Sequence, residues 1–306
     1  MSPSDDTHGQ VPGASAGPLE AYLRMVAAAA SDVAGAVTRH SSGDPFELRD
    51  PEYIARTLAA WRLVSSLYFR ADVRGMPHIP EEGPVLLVGN HSGGIMIADT
   101  FVFAQAFYDH FGPERTFFQL AHDLVFKVAG ARALVQRYGT VPASPDNMAE
   151  ALRREAALLV YPGGDHETFR PSWESDTVDF AERTGFIKLA LEHNVPIVPV
   201  VSIGGQETGL FLGQGSRLAR GLRLNRLARL KVLPAVIGPP FGATVLDFPF
   251  RVPLPAKISI RVLKPIHLRQ RLGSNPTPEE GYRLVTSTMQ RTLTRLSNER
   301  DLPIVG

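Results

Sequence analysis

Not one of the 306 residues is cysteine. Disulfides, zinc thiolate sites and a cysteine nucleophile are therefore excluded. Net charge is nearly missing too: 32 Lys and Arg stand against 31 Asp and Glu, a balance of +1. Such a molecule is no polycation, so no nucleic-acid partner is expected. Long apolar runs are also lacking. The longest uncharged run near the start, Met25 to Ser31, falls far short of the roughly 18 residues that span a bilayer. The opening residues carry Asp5 and Asp6 and no Lys or Arg, unlike a secretory signal. The expected location is cytoplasmic, peripheral on the inner face of the membrane. No Gly-x-Ser-x-Gly elbow, His-Glu-x-x-His pair, Walker loop or dinucleotide fingerprint occurs. Serine-elbow, metal and nucleotide chemistry are thus not expected, and no bound cofactor or metal is expected.

What remains is an ordinary globular composition, 44% apolar and 21% charged, enough for one large domain with a smaller appendage. Residues 1–18, rich in Ser, Gly, Pro and Asp, read as a disordered tail. Residues 19–72 read as an N-terminal helical segment. It comprises an Ala-rich helix over 19–38 and a second helix capped by Asp50 with Pro51 in its first turn. Ile54, Leu58, Trp61, Val64 and Tyr68 keep helical spacing, the stripe of a helix packed on a sheet.

Residues 73–306 alternate strand and helix. The apolar runs Val85 to Gly89, Thr116 to Leu120, Ala157 to Tyr161 and Pro196 to Ser202 are predicted strands, with helices from Ser144 to Glu155 and from Gly185 to His193. This order implies an α/β fold: a mostly parallel central sheet flanked by helices, with the N-terminal helices packed on the body. Lys257 to Leu263 alternates apolar and polar residues and is expected at a sheet edge. A capping box, Thr277-Pro-Glu-Glu280, opens the last helix.

Three of the strands end in glycine-rich polar turns: Asn90-His-Ser-Gly-Gly94, Tyr161-Pro-Gly-Gly-Asp-His-Glu167 and the turn through Gly204 and Gly205 to Gly209. Ligands in α/β sheets gather at carboxyl ends of strands, so three such turns suggest one shared cleft. His91 is the natural general base there, because imidazole titrates near physiological pH. Asp99 is the nearest downstream carboxylate. Eight helical positions would put it about 12 Å away, out of reach. It returns to the imidazole if Ser92 to Gly94 form a loop and the helix begins near Ile95.

The blocks Asn90-His91-Ser-Gly-Gly-x4-Asp99, Tyr161-Pro-Gly-Gly-x2-Glu167 and Arg183-Thr-Gly-Phe-Ile-Lys188-Leu-Ala190, the last running into Val195-Pro-Ile-Val-Pro-Val200, resemble the lysophospholipid acyltransferase superfamily. The chain is most similar to the branch related to monoacylglycerol and diacylglycerol acyltransferases, from about residue 75 to 270. The resemblance implies direct acyl transfer. A histidine removes the acceptor hydroxyl proton as that oxygen attacks a thioester carbonyl, and an aspartate holds the histidine's tautomer. Carried over, His91 and Asp99 are catalytic, and Ser92, Gly93, Gly94, Gly163, Gly164 and Glu167 form the acceptor and oxyanion region. The thioester substrate is acyl-CoA or an acyl carrier protein. Arg137, Arg170 and Lys188 are candidates to bind it.

Members that acylate phosphate acceptors have four residues between His and Asp and a Glu-Gly-x-Arg block. This chain has seven such residues and reads Gly163-Gly164-Asp165-His166. Loss of the phosphate-binding arginine favours a neutral lipid hydroxyl, a mono- or diacylglycerol or a long-chain alcohol, over glycerol phosphate. Lysophosphatidate acylation is the alternative acceptor reading. A thioesterase and a non-catalytic lipid-binding module are the alternative functions. Finally, Arg217, Arg220, Arg223, Arg226, Arg229 and Lys231 alternate with leucines and no acid. That composition suits a cationic membrane-surface segment, or a solvated face that attracts an anionic thioester carrier.

Overall fold

Leu86, Leu87, Leu158, Leu159, Val198 and Val201 have no appreciable solvent exposure, as expected where a sheet is covered on both faces. The computed structural model describes residues 43–94, 97–123, 125–127, 129–213, 234–245 and 251–300. The expected tail over 1–18, the Ala-rich helix over 19–38 and the basic segment Arg217 to Lys231 lie outside the described residues.

In chain order the strands are β1 (Asp72–Arg74), β2 (Val85–Gly89), β3 (Phe117–Ala121), β4 (Thr140–Pro142), β5 (Ala157–Val160) and β6 (Ile197–Ile203). They continue as β7 (Leu210–Gly213), β8 (Ala235–Gly238), β9 (Gly242–Val245) and β10 (Ser259–Val262). Among the described residues seven strands form one sheet in the order β1-β10-β6-β2-β5-β3-β4. The five strands from β6 to β4 run parallel, while β10 is antiparallel to β6. The mostly parallel α/β sheet is therefore as expected. Alternation sorts its residues by face. Val85 and Leu87 face the layer of α1 (Pro51–Leu63) and α2 (Ala98–Phe111). The remaining helices are α3 (Ala129–Arg137), α4 (Pro145–Arg153), α5 (Asp165–Thr168), α6 (Gly185–Glu192), α7 (Leu268–Leu272) and α8 (Pro278–Asn298). Leu86 and Val88 face the other layer, which holds Leu152 of α4, Ile187 of α6 and Leu293 of α8.

Local signals explain the helix starts. Asp50 accepts a hydrogen bond from the Tyr53 amide and Ser144 from the Asn147 amide, each followed by proline in the first turn. Thr277 and Glu280 close the capping box reciprocally. Trp61 of α1 stacks on Phe101 of α2 at 5.0 Å, which docks the N-terminal helix on the body.

One expectation needs correction. Strand β10 is not an edge. It lies between β1 and β6, and its polar Arg261 forms an ion pair with Asp72 of β1 at 2.9 Å. The stretch from Leu233 to Pro255 contains β8 and β9. With β7 these make a second, antiparallel sheet.

Candidate active site

Strands β5, β2 and β6 are neighbours and parallel, so the turns that follow them emerge at one end of the sheet. Asn90 ends β2 by substituting its side chain for the ladder. Its Nδ2 donates to the Ser202 carbonyl at 2.8 Å, and its Oδ1 accepts from the Ser202 amide at 2.9 Å. The backbone is thereby released from β6, and His91 points into the turn.

The imidazole of His91 sits with Nδ1 3.5 Å from Asp99 Oδ2. That is longer than an ordinary N–H···O bond by about half an ångström, so the contact is a close approach rather than a formed hydrogen bond. Asp99 is reached because Ser92 and Gly93 turn and α2 begins only at Ala98. Its carboxylate is 1% exposed. Oδ2 accepts from the Ser92 amide at 3.0 Å and the Ser92 hydroxyl at 3.3 Å, and Oδ1 from the Thr100 amide at 2.8 Å. These donors replace water around a buried acceptor and fix its orientation.

Tyr161, the residue after β5, stacks on the His91 ring at 4.2 Å and 20°. A Cβ at Gly89 would overlap that tyrosine ring, so only glycine lets the ring lie there. Burial, with the nearby Asp99 carboxylate adding to it, pushes the Tyr161 phenol well above its ordinary pKa. Its hydroxyl lies 2.9 Å from that of Thr100. Nδ1 is buried against Asp99 and one ring face lies under Tyr161, while 13% of the His91 side chain is still exposed.

Glu167 supports the turn from beneath. Its Oε2 accepts the His91 amide at 3.1 Å and its Oε1 the Asp179 amide at 3.1 Å. Arg170 Nη2 lies 2.7 Å from Oε1 as an ion pair. Burial raises the Glu167 carboxyl above its ordinary pKa, while Arg170 and the two amides pull it partly back. A Cβ at Gly163 would strike the Glu167 side chain, which accounts for that glycine.

An acyltransferase family model matches residues 70–203, the span from β1 through β6. Over 162 residues the chain is 31% identical to a bovine (Bos taurus) DGAT1/2-independent enzyme synthesizing storage lipids, covering 53% of this chain and 47% of that protein. It thus spans about half the length of that curated relative. An uncharacterized protein of Mycobacterium tuberculosis is 28% identical over 302 residues, 95% of this chain and 80% of its own. The crystal structure of the 1-acyl-sn-glycerophosphate (LPA) acyltransferase PlsC from Thermotoga maritima shares the fold. Its TM-score is 0.54 at 16% identity, covering 91% of this chain and 95% of that one.

The predicted residues separate into two groups. His91, Ser92, Asp99, Gly163 and Glu167 converge. Glu167, though, is wholly buried and holds the His91 backbone rather than lining an acceptor cavity. Gly93 is likewise committed, its amide donating to Gln206 Oε1 at 3.0 Å and its carbonyl accepting from Arg251 at 2.9 Å. The Gly164 amide is bonded to the Tyr161 carbonyl. Arg170 is corrected as a thioester-carrier ligand. It is 5% exposed, and its guanidinium serves Glu167 and the carbonyls of Glu174 and Thr177. Arg137 lies 4.6 Å over the Tyr53 ring, and Lys188 projects into solvent from α6. No hydrogen bond or ion pair joins these three to one another among the described residues. Asp165 pairs with Arg183 at 3.3 Å, and His166 pairs with Asp179 at 2.8 Å.

Sequence reading missed Asn90, Tyr161, Arg183, Gln206 and Arg251 as site residues. Arg183 donates to the carbonyls of Pro162 and Gly163, locking the glycine turn. Adjacency to the glycine blocks was the available signal for all but Arg251. Among the described residues no group of acidic or histidine side chains could hold a metal ion, and no helix is long and apolar enough to cross a membrane.

Proposed function

We propose that this chain transfers a fatty acyl group from a thioester, acyl-CoA or acyl carrier protein, to the hydroxyl of a neutral lipid, with His91 as general base. The observation that carries the reading is the imidazole fixed between Asp99 and Tyr161 with part of its side chain still exposed. The acceptor hydroxyl gives its proton to Nε2 as its oxygen attacks the thioester carbonyl. Collapse of the tetrahedral intermediate breaks the carbon–sulfur bond, and the proton passes from His91 to the departing thiolate. Asp99 keeps the Nδ1 proton in place throughout. The oxyanion needs donors that are not already bonded, which disfavours the amides of Ser92, Gly93 and Gly164.

Two observations support a neutral acceptor. The position where a phosphate-binding arginine would stand is His166, already paired with Asp179. The bovine relative is, by its description, a storage-lipid enzyme. The test is radiolabelled acyl-CoA with purified protein and a panel of acceptors, with His91→Ala as control. Product is expected with mono- or diacylglycerol or a long-chain alcohol and not with the His91→Ala protein. Preference for lysophosphatidate would overturn the acceptor, and hydrolysis indifferent to added alcohols would make the protein a thioesterase.

A further inference from the structure

Arg251 is charged, 1% exposed and among the largest wholly buried side chains of the described residues. Taking a guanidinium out of water is costly unless its N–H groups meet acceptors. Here Nη1 donates to the Thr208 carbonyl, and Nη2 donates to the Gly93 carbonyl at 2.9 Å and the Thr208 hydroxyl at 3.3 Å. The second sheet is shaped to receive it. A Cβ at Gly209, just before β7, would stand 2.8 Å from its Cζ, and one at Gly238 of β8 would stand 2.8 Å from its Cδ. Phe211 of β7 lies beneath the guanidinium at 5.3 Å, on the buried face of that sheet. The backbone beside Arg251 is tied down as well. The Val252 amide donates to the Pro239 carbonyl at 2.8 Å, and the Leu254 amide to the Thr208 carbonyl at 2.7 Å. The β7–β8–β9 sheet is thus a mount, from which the arginine's fork reaches the turn that carries His91.

At that turn its hydrogen bond closes a clamp. Gly93 sits at φ +93° between His91 and Asp99, where an added Cβ would stand 2.9 Å from the Gly205 carbonyl oxygen. Its amide belongs to the Ser92–Gly93 peptide plane and its carbonyl to the Gly93–Gly94 plane. Gln206, wholly buried, holds the first plane. Its Oε1 accepts from the Gly93 amide at 3.0 Å while its Nε2 donates to the Arg170 carbonyl. Arg251 holds the second. Peptide planes are rigid, so fixing both sets φ and ψ of a residue whose backbone is otherwise the freest of all. The clamp matters because His91 Nδ1 and Asp99 Oδ2, 3.5 Å apart, are not joined by a formed hydrogen bond. The backbone between them sets their separation, and the Ser92 amide that holds Asp99 is one residue from the clamp. We infer that Arg251, with Gln206 on the other plane, is a positioning residue for the His91–Asp99 pair. Both act through the Gly93 backbone rather than on the substrate. The inference rests on His91 being the base proposed above.

The experiment compares full-length Arg251→Met, Gln206→Met and Val236→Ala proteins with wild type by release of CoA thiol, thermal melts and 15N shifts of the His91 ring. Arg251→Met keeps an apolar stem over Phe211 and removes the bond to Gly93, and Gln206→Met releases the other plane. Each is expected to lower kcat by about tenfold to a hundredfold with KM within about twofold, the scale of displacing a catalytic group by ~1 Å. In each, the His91 15N pattern should move from a single tautomer, protonated on Nδ1, toward a mixture. Val236→Ala opens a cavity in the core of the second sheet without touching Gly93. It should lower the melting temperature while kcat stays within about twofold of wild type and the ring's 15N pattern is unchanged. Arg251→Lys restores the charge with one nitrogen in place of the fork, and should recover part of the kcat. Wild-type kcat and 15N pattern in a folded Arg251→Met protein overturn the inference. So does a Val236→Ala protein that matches its loss of kcat, since the arginine then only supports the sheet. If Arg251→Met does not fold, Arg251→Lys decides, and full kcat there overturns the inference. The 15N measurement needs no turnover. Absence of acyl transfer by wild type would sink the functional proposal, whereas a His91 tautomer left unchanged by both methionine variants would sink this one.

Discussion

Replacing Asp99 with asparagine changes one atom and should disable the site. Thr100's amide makes the shortest bond to this side chain, 2.8 Å to Oδ1, so the oxygen of the new carboxamide stays there. Its NH2 then takes the place of Oδ2, facing the Ser92 amide at 3.0 Å and His91 Nδ1 at 3.5 Å. A donor opposite Nδ1 forces that nitrogen to accept and moves the ring proton to Nε2, where it blocks removal of the acceptor proton. A wrong tautomer in a His–Asp site costs on the order of a thousandfold to ten-thousandfold in kcat, or about 4 to 5 kcal/mol. KM should change little, because Asp99 is buried behind the base. Two donors facing each other at Ser92 also cost about 1 to 3 kcal/mol of stability, lowering Tm by about 2 to 4 °C for each kcal/mol. The assay is release of CoA thiol at saturating acceptor, with thermal melts alongside and 15N chemical shifts to report the His91 tautomer. A folded Asp99→Asn protein that keeps more than about a tenth of wild-type kcat would refute the argument.

Two further substitutions test the supports around the base. Gly89→Ala should cost about 1 to 3 kcal/mol and lower kcat by displacing Tyr161 from the imidazole, and Tyr161→Ala added to it should recover part of the stability in a double-mutant melt. Glu167→Gln should cost about 3 kcal/mol or more by leaving Arg170 buried without its partner charge, as denaturant titration would show. The same variant tests pH linkage. Because the folded carboxyl is raised above its ordinary 4.5, the folded state holds a proton that the unfolded chain releases. Stability from this group is therefore full below 4.5 and lost as pH rises through the folded value, and Gln should flatten that part of the curve.

The central sheet was legible in the sequence because its strands are continuous apolar runs, and the helix starts because Asp50, Ser144 and Thr277 carry their own caps. Strands β1 and β4 were not legible. Each is three residues long, and Asp72-Val-Arg74 shows no pattern until Asp72 meets Arg261. The second sheet escaped notice because its strands are short and broken by Gly and Pro, signals that locally read as loop. In the site, the His91–Asp99 approach followed from the glycine turn between them. What the sequence could not convey was allegiance. Arg170 looks like any available cation until the fold buries it on Glu167, and Arg251 lies outside the glycine blocks that bond it.

The Asn90 amide has a wider consequence. By imitating one more rung of the ladder to Ser202, it ties the origin of the reactive turn to the alignment of two central strands rather than to any loop. His91 inherits its coordinates from two fully buried central strands. Peripheral connections can then lengthen, shorten or change partner while the imidazole keeps its address.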